Sequence, residues 1–246
     1  MRTAEPGWGG VVERRLRTAA DVRAALAWEG HLDGADLSGT VLTGIDLSGV
    51  SMRGARLRGC DLVRARFVAT DLRLADLTAA RLVGAILEDT RLCGATLAAA
   101  ELSMAELRGT DMRGCIAPAM VAEAAVVERA LLWGIDLTGA NLRFLEAKAA
   151  DLRGAIFTRG CLEGVSLERC DLKLATCREA DLSRARMRAC DLRQVIFDGA
   201  VLMETDLRRA DLRGATFRRS VVSGLILAEA RLGAVDFSEV IDPPPA

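Results

Sequence analysis

The chain has 246 residues, with 34 acidic and 33 basic side chains, so its formal net charge is −1 at pH 7. Nucleic-acid-binding proteins usually carry a basic excess, and this balance argues against that class. The sequence contains no run of about eighteen apolar residues, which argues against a membrane-spanning helix.

The first thirty residues predict a lead-in followed by a short helix over Thr18–Trp28. Thr18 suits the N-cap position, and Asp21, three residues later, completes a capping box. Gly30 suits the left-handed position that follows a helix.

From Leu32 to Phe237 the sequence repeats every five residues. Counting from Leu32, every fifth residue is Leu, Phe, Met or Val at all but four positions, and the phase never slips. The four exceptions are Ala117, Ala122, Ala147 and Cys177. A period of five fits neither a helix nor a strand. A unit this small cannot bury its own apolar face, so its copies must stack on one another.

The clearest copies of the repeat read Ala-Asp-Leu-Ser-Gly at residues 35–39 and Ala-Asp-Leu-Arg-Gly at residues 150–154 and 210–214. This motif resembles that of the pentapeptide-repeat proteins, which is small–Asp/Asn–Leu/Phe–any–any. The resemblance implies an all-β solenoid, a right-handed quadrilateral parallel β-helix of about ten coils. Four pentapeptides would form each coil, with the central residue and the small residue pointing inward.

A coil of twenty residues also follows from the residues themselves, because that period aligns like side chains in columns. The inward column contains Phe157, Phe197, Phe217 and Phe237, interrupted by Cys177. An outward column contains Asp151, Asp171, Asp191 and Asp211. Beside it stand Arg153, Lys173, Arg193 and Arg213. A period of fifteen or twenty-five would scatter all three columns.

The predicted organisation has five parts. Residues 1–30 form a lead-in and capping helix, since an open solenoid end exposes apolar core and unpaired backbone; a recognition helix is the alternative. The β-helix occupies 31–116 and 132–240, separated by a helical or irregular interruption at 117–131. A Pro-rich tail at 241–246 cannot donate to a further ladder and is expected to end the stacking.

The interruption keeps the five-residue phase but loses the composition of the repeat. It contains no Gly and is rich in Ala, and Pro118 suits the first position of a helix. Apolar residues also recur there at helical spacing. A helix near 118–131 is therefore the favoured interpretation. In the alternative, these residues are degenerate repeats in which Val121, Val126 and Leu131 face outward, where Asp usually stands.

Either arrangement is expected to bring an apolar docking patch near the surface, and such patches often mark interfaces. The candidate residues are Met120, Val121, Val126, Leu131 and Trp133.

Signals for catalysis are absent from the sequence. The single histidine, His31, lies at the cap boundary, and no Ser or Cys has a neighbouring His to act as a base. The glycines follow the five-residue period rather than a phosphate-binding loop, and no Cys/His cluster has zinc spacing. We expect a non-enzymatic cytoplasmic protein without cofactor or metal. Cys170 and Cys190 would stack closely enough for a disulfide, but a reducing cytosol favours free thiols.

The column Asp151–Asp211 has two interpretations. Family members that protect DNA gyrase from quinolones resemble duplex DNA in shape and charge, so the column is a candidate DNA-mimicking surface. Alternatively, Asp at this position satisfies backbone donors and is balanced by the adjoining basic column.

The resemblance favours a rod-shaped binding scaffold that engages DNA gyrase or topoisomerase IV as a DNA mimic and protects it from a poison. The alternative is an adaptor or effector moiety, for example in a secretion system, that docks through residues 118–133. The expected partner is a protein rather than nucleic acid or membrane, and a homodimer is a further candidate.

Overall fold

Backbone pairing between residues twenty apart organises the whole molecule. The computed structural model describes residues 15–241, and in it parallel bridges join Asp36 to Arg56, Arg56 to Asp76, and so on along the chain. Four such ladders define four faces, which we number by their first member and which contain every twentieth residue after it. Face 1 begins at Asp36, face 2 at Val41, face 3 at Asp46 and face 4 at Ser51.

The N-terminal helix, α1, spans Ala19–Glu29, and its predicted capping signals are confirmed. The backbone N–H of Asp21 donates to the Thr18 hydroxyl at 3.1 Å, and the Thr18 N–H donates to the Asp21 carboxylate at 2.9 Å. Gly30 ends the helix in the left-handed region with φ of 73°, a conformation that costs glycine little because it has no Cβ.

The residues around α1 join the core of the first coil. Leu16, Val22 and Ala25 are buried and belong to the same apolar cluster as the inward residues of the solenoid. The Thr40 hydroxyl donates to the Leu16 carbonyl at 2.9 Å. The segment therefore covers apolar surface at this end of the solenoid, as a cap is expected to do.

Three short parallel strands lie on face 3 in the middle of the molecule. They are β1 (Val126–Glu128), β2 (Glu146–Lys148) and β3 (Ser166–Glu168), paired in the order β1-β2-β3. Val127 pairs with Ala147, and Ala147 with Leu167, in the same twenty-residue register as the bridges.

Hydrogen bonding within one pentapeptide explains why the motif contains Asp. In residues 151–155, the N–H groups of Asp151, Leu152 and Gly154 donate to carbonyls of neighbouring coils, and that of Ala155 donates to the carbonyl of Leu152. The N–H of Arg153 remains, and it donates to the Asp151 carboxylate at 3.2 Å. Asp therefore satisfies the one backbone donor that stacking leaves over, and such donors are costly to leave unpaired.

The prediction of a helix near 118–131 is wrong. Ile116 bridges to Asp136, Val121 to Asn141, and Leu131 to Asp151, so the ladders continue through 117–131 as degenerate repeats. Alanine is small enough to fit both the central and the small inward position of a repeat. A helix at 118–131 would have broken these ladders. Pro118 stands at the position of Arg153 in its own repeat, whose N–H is not used for stacking, so its missing donor breaks no bond between coils.

Small residues in the central position leave the middle of the core underfilled. A cavity of about 40 Å³, lined only by apolar side chains, lies beside Ala122 and Ala147. In the inward column of face 1, the rings of Phe197 and Phe217 stack with their centroids 4.8 Å apart. The predicted Phe column is thereby confirmed.

Buried hydroxyl groups link consecutive coils in the first half of the solenoid. Thr70, Thr90 and Thr110 stack at the small inward position, and each hydroxyl donates to a carbonyl of the preceding coil. Cys170 and Cys190 occupy the same column later in the chain and are both free thiols. Burial raises the pKa of Cys170 to about 11, so this thiol stays protonated at neutral pH.

Candidate binding face

Both surfaces singled out from the sequence meet on face 4. Asp151, Asp171, Asp191 and Asp211 pair successively along its ladder, so the predicted column exists. Leu131 bridges directly to Asp151 in the same ladder. A twenty-residue step from Leu131 reaches Asp151, and the same step from Trp133 reaches Arg153. The sequence itself contains this twenty-residue relationship between the acidic column and the apolar patch.

Three of the four carboxylates in the column are each bound by an arginine two residues later. In the pair Arg153–Asp151, Nε donates to Oδ1 at 2.8 Å and Nη2 to Oδ2 at 2.6 Å. The pair Arg213–Asp211 has the same two bonds at 2.9 and 2.6 Å. Asp191 is bound by Arg193 in the same way.

Asp171 differs from its neighbours in the column. It accepts the backbone N–H of Lys173 at 3.0 Å, and its carboxylate lies 3.8 Å from Nε of Arg153 in the preceding coil. The Asp column and the adjoining basic column therefore place negative and positive groups next to each other along face 4. Its geometry matches the structural interpretation of the Asp residues, in which they satisfy backbone donors and are balanced by neighbouring cations.

The arginines also change the acidity of these carboxyl groups. Hydrogen bonds from the Arg153 guanidinium lower the pKa of Asp151 below its ordinary value, and the Arg153 backbone N–H adds to this effect. Arg193 and Arg213 lower the pKa values of Asp191 and Asp211 in the same way. Since the ionised form is favoured, these groups stay charged and paired at neutral pH.

An apolar pair interrupts the charged column. Leu131 stands in the Asp position and Trp133 in the Arg position, between the ion pairs Asp111–Arg113 and Asp151–Arg153. Leu131 is 39% exposed and Trp133 is 55% exposed. The coil thus presents an aromatic side chain on a surface of guanidinium and carboxylate groups.

The other residues of the predicted docking patch do not join this surface. Met120 fills the small inward position and is only 5% exposed, so its predicted place near the surface is wrong. Val121 lies on face 2 and Val126 lies on face 3, in β1. The five-residue step explains the separation, because each step of five moves a residue to the next face.

Within residues 15–241, no three His, Cys, Asp or Glu side chains are placed to hold a metal ion together. No helix in the same range is long and apolar enough to cross a membrane.

Comparison with known families identifies the repeat. The family model described as pentapeptide repeats matches eight copies. The matched residues are 18–54, 31–67, 75–114, 124–159, 157–188 and 185–224. These ranges cover well over half of the chain. A search of curated protein sequences finds no significant match.

Several solved structures are similar to this chain. One is HetL, a pentapeptide repeat protein involved in heterocyst differentiation regulation from the cyanobacterium Nostoc sp. strain PCC 7120. It is 24% identical, with a TM-score of 0.39 over 94% of this chain and 99% of that chain. Full-length QnrB1, a plasmid-mediated fluoroquinolone resistance protein, is 19% identical, with a TM-score of 0.31 over 83% of this chain and 92% of that chain.

The five-residue phase, the twenty-residue ladders and the family match agree, and the chain belongs to the pentapeptide repeat family.

Proposed function

We propose that this protein is a non-enzymatic binding rod that engages a protein partner through face 4, with Trp133 as the anchor of the contact. One observation carries the proposal: an exposed Trp133, with Leu131 beside it, stands between the ion pairs Asp111–Arg113 and Asp151–Arg153 of this column. Trp and Arg are enriched in the parts of protein interfaces that contribute most binding energy. A half-exposed Trp flanked by Arg113 and Arg153 has this composition.

The surrounding ion pairs suit the rim of such a contact. Arg153 and Arg113 are each about half exposed and already bound to a carboxylate. Rim charges of this kind contribute orientation and association rate more than affinity. We therefore expect the partner to bury Leu131 and Trp133 and to align along the Asp/Arg column.

A type II topoisomerase, either DNA gyrase or topoisomerase IV, is the partner class that we propose to test first. The family includes members that protect gyrase as DNA mimics, and the Asp column repeats a carboxylate once per coil, about every 4.8 Å. The guanidinium beside nearly every carboxylate opposes simple charge mimicry. If gyrase is the partner, we expect Trp133 to contribute more binding energy than the acidic column.

Gyrase supercoiling with and without a fluoroquinolone tests this proposal. Wild-type protein at micromolar concentration should inhibit supercoiling or restore it in the presence of the drug, and Trp133→Ala should lose at least tenfold in potency. The matched control is Met203→Ala, an exposed side chain at the same repeat position on face 2. Equal potency of Trp133→Ala and wild type would contradict a Trp133 anchor.

The acidic column needs a separate comparison. Asp171→Asn with Asp191→Asn removes two of its charges, whereas Asp136→Asn with Asp181→Asn removes equivalent charges from faces 1 and 2. Asp136 and Asp181 also accept the backbone N–H two residues later, so both variants lose charge while the amide oxygen can still accept. A loss of potency in the face 4 variant alone would support DNA mimicry, and equal potency would reject it.

The adaptor function is the second candidate, and the exposed Leu131–Trp133 pair supports it as well. If gyrase is unaffected, capture of a partner by wild-type protein but not by Trp133→Ala would favour an adaptor that docks on face 4. Equal capture by both proteins would place the contact elsewhere.

A further inference from the structure

The cavity in the middle of the core has a regular origin in the sequence. In the ordinary repeat, a small residue stands two positions before a large central one. Two pentapeptides beside the cavity reverse this order, because Met120 precedes Ala122 and Leu145 precedes Ala147. All four side chains are buried. The reversal keeps apolar bulk in the core but moves it away from the place that a central leucine fills in other repeats.

The two reversals leave one shared space because they lie next to each other. Val127 pairs with Ala147, so Ala147 stacks on a central residue that is itself smaller than leucine. Ala122 stands one pentapeptide before Val127 and lines the same cavity as Ala147. Three neighbouring central positions therefore hold less volume than the leucine of the ordinary repeat.

The accessible surface of inward leucines also marks the position of the cavity. Leu132 and Leu145 line it, and they keep 6% and 7% of their surface accessible although they belong to the core. Leu172, Leu182 and Leu192 are central residues of later repeats and keep none. The core is therefore closely packed at these later repeats and loosely packed around the cavity.

The cavity is large enough for a water molecule but offers it no hydrogen bond. Its volume is about 40 Å³, whereas a buried water needs roughly 10–15 Å³. A buried water also needs about two to four polar partners, and this lining is entirely apolar. Apolar cavities of this kind stay dry, and an engineered one of about 150 Å³ binds benzene or xenon. The cavity of this protein has roughly a quarter of that volume, so it suits a ligand smaller than benzene.

We propose that this cavity is a binding site for one small apolar gas molecule of the size of xenon or dioxygen. Such a ligand meets apolar atoms on every side, and its dispersion contacts replace empty space. The thioether sulfurs of Met112 and Met120 in the lining are polarizable, which strengthens these contacts. A ligand of one or two atoms gains little binding energy in total, so we expect a dissociation constant above about 1 mM.

Methyl NMR of the isotope-labelled full-length chain under xenon pressure tests the site, with the same hydrostatic pressure without gas as the reference. Xenon should shift the methyl signals of Ala122, Val127 and Ala147 and leave that of Ala175 unchanged, because Ala175 does not line the cavity. Ala147→Val fills the cavity and should reduce the shifts at Ala122 and Val127 at least fivefold. The matched control is Ala175→Val, the same substitution outside the cavity, which should keep these shifts.

Benzene tests the size of the site. The wild-type protein should exclude benzene, whereas Leu145→Ala enlarges the cavity and should bind it. Thermal unfolding verifies that each variant folds, and the comparison of xenon with benzene on the wild-type protein requires no variant. The proposal is overturned if xenon shifts no cavity methyl in the wild type, or if Ala147→Val responds as strongly as the wild type. It is equally overturned if the wild type binds benzene, or if folded Leu145→Ala still excludes it.

Discussion

The side chain of Arg153 holds the carboxylate of Asp151 with two hydrogen bonds, while the backbone N–H of the same arginine donates to Oδ1. One aspartate thus completes the backbone bonding of its own repeat and neutralises the cation that stands beside it. The arrangement recurs at Asp191 and Asp211. These ion pairs consequently hold the side chains of face 4 in place, and each arginine offsets the negative charge of the aspartate that it binds.

The pH dependence of stability should reflect these pairs. The folded pKa values of Asp151, Asp191 and Asp211 lie below the ordinary value, which is about 3.9 in the unfolded chain. A lowered folded pKa contributes stability that is present above the unfolded pKa and is lost as the pH falls through the folded pKa. The free energy of unfolding, measured with denaturant from neutral pH downward, should therefore decrease below about pH 4.

Replacement of all three aspartates with Asn should make this decrease shallower. Other aspartates with lowered pKa values, such as Asp71 and Asp111, should preserve part of it. If the free energy of unfolding of the triple variant fell with pH as steeply as that of the wild type, the face 4 pairs would make no contribution to the pH dependence.

Asp206→Asn should destabilise the protein by about 1–2 kcal/mol, because charge-assisted hydrogen bonds are stronger than neutral ones and these guanidinium groups are partly exposed. Asp206 is bound by Arg208 and Arg188, and the hydrogen bonds from Arg208 and then Arg188 hold its pKa well below the ordinary value. The matched control is Asp181→Asn, whose carboxylate accepts the Ser183 N–H. Chemical denaturation should show a larger loss of unfolding free energy for Asp206→Asn than for Asp181→Asn. Equal losses would mean that the guanidinium contacts add no stability.

Ala147→Val should stabilise the protein by roughly 1 kcal/mol, because it adds apolar volume to a cavity of about 40 Å³. The substitution also suits β2, since β-branched residues favour strands. Ala175→Val is the control, because Ala175 is fully buried and does not line the cavity. The control should lose about 1–3 kcal/mol through overpacking. A thermal midpoint lowered equally by both substitutions would show that the core does not accept added volume at 147.

Proline substitutions test the account of backbone bonding. Ala98 stands at the repeat position of Pro118, and its N–H is not used between coils, so Ala98→Pro should be tolerated within about 1 kcal/mol. The next residue, Ala99, has φ of 54° and donates to the Pro118 carbonyl at 2.9 Å. Ala99→Pro should therefore cost about 3 kcal/mol or more. The unfolding midpoints of the two variants test this prediction. Similar losses of stability at both positions would contradict the assignment of the hydrogen bonds between coils.

The failed helix prediction at 118–131 has a specific physical cause. Alanine has the highest helix propensity, and Met120 and Val127 also fall on a helical stripe. The same alanines are small enough for the inward positions of a coil, so local preference could not separate the two structures. The bonds of Val121 and Leu131 to residues twenty away decided the outcome, and tertiary pairing of this kind routinely overrides propensity.

The sequence by itself determined the repeat, the central inward residues, the twenty-residue coil and the capping box of α1. Each of these depends on spacing along the chain, which a periodic sequence displays directly. Only the tertiary structure decided that Trp133 lies in the Arg column of face 4, that Arg153 binds Asp151, and that Met120 points into the core. Each of these features depends either on contacts between side chains or on whether a residue faces outward or inward. Both are set by the backbone hydrogen bonds that the complete fold can satisfy.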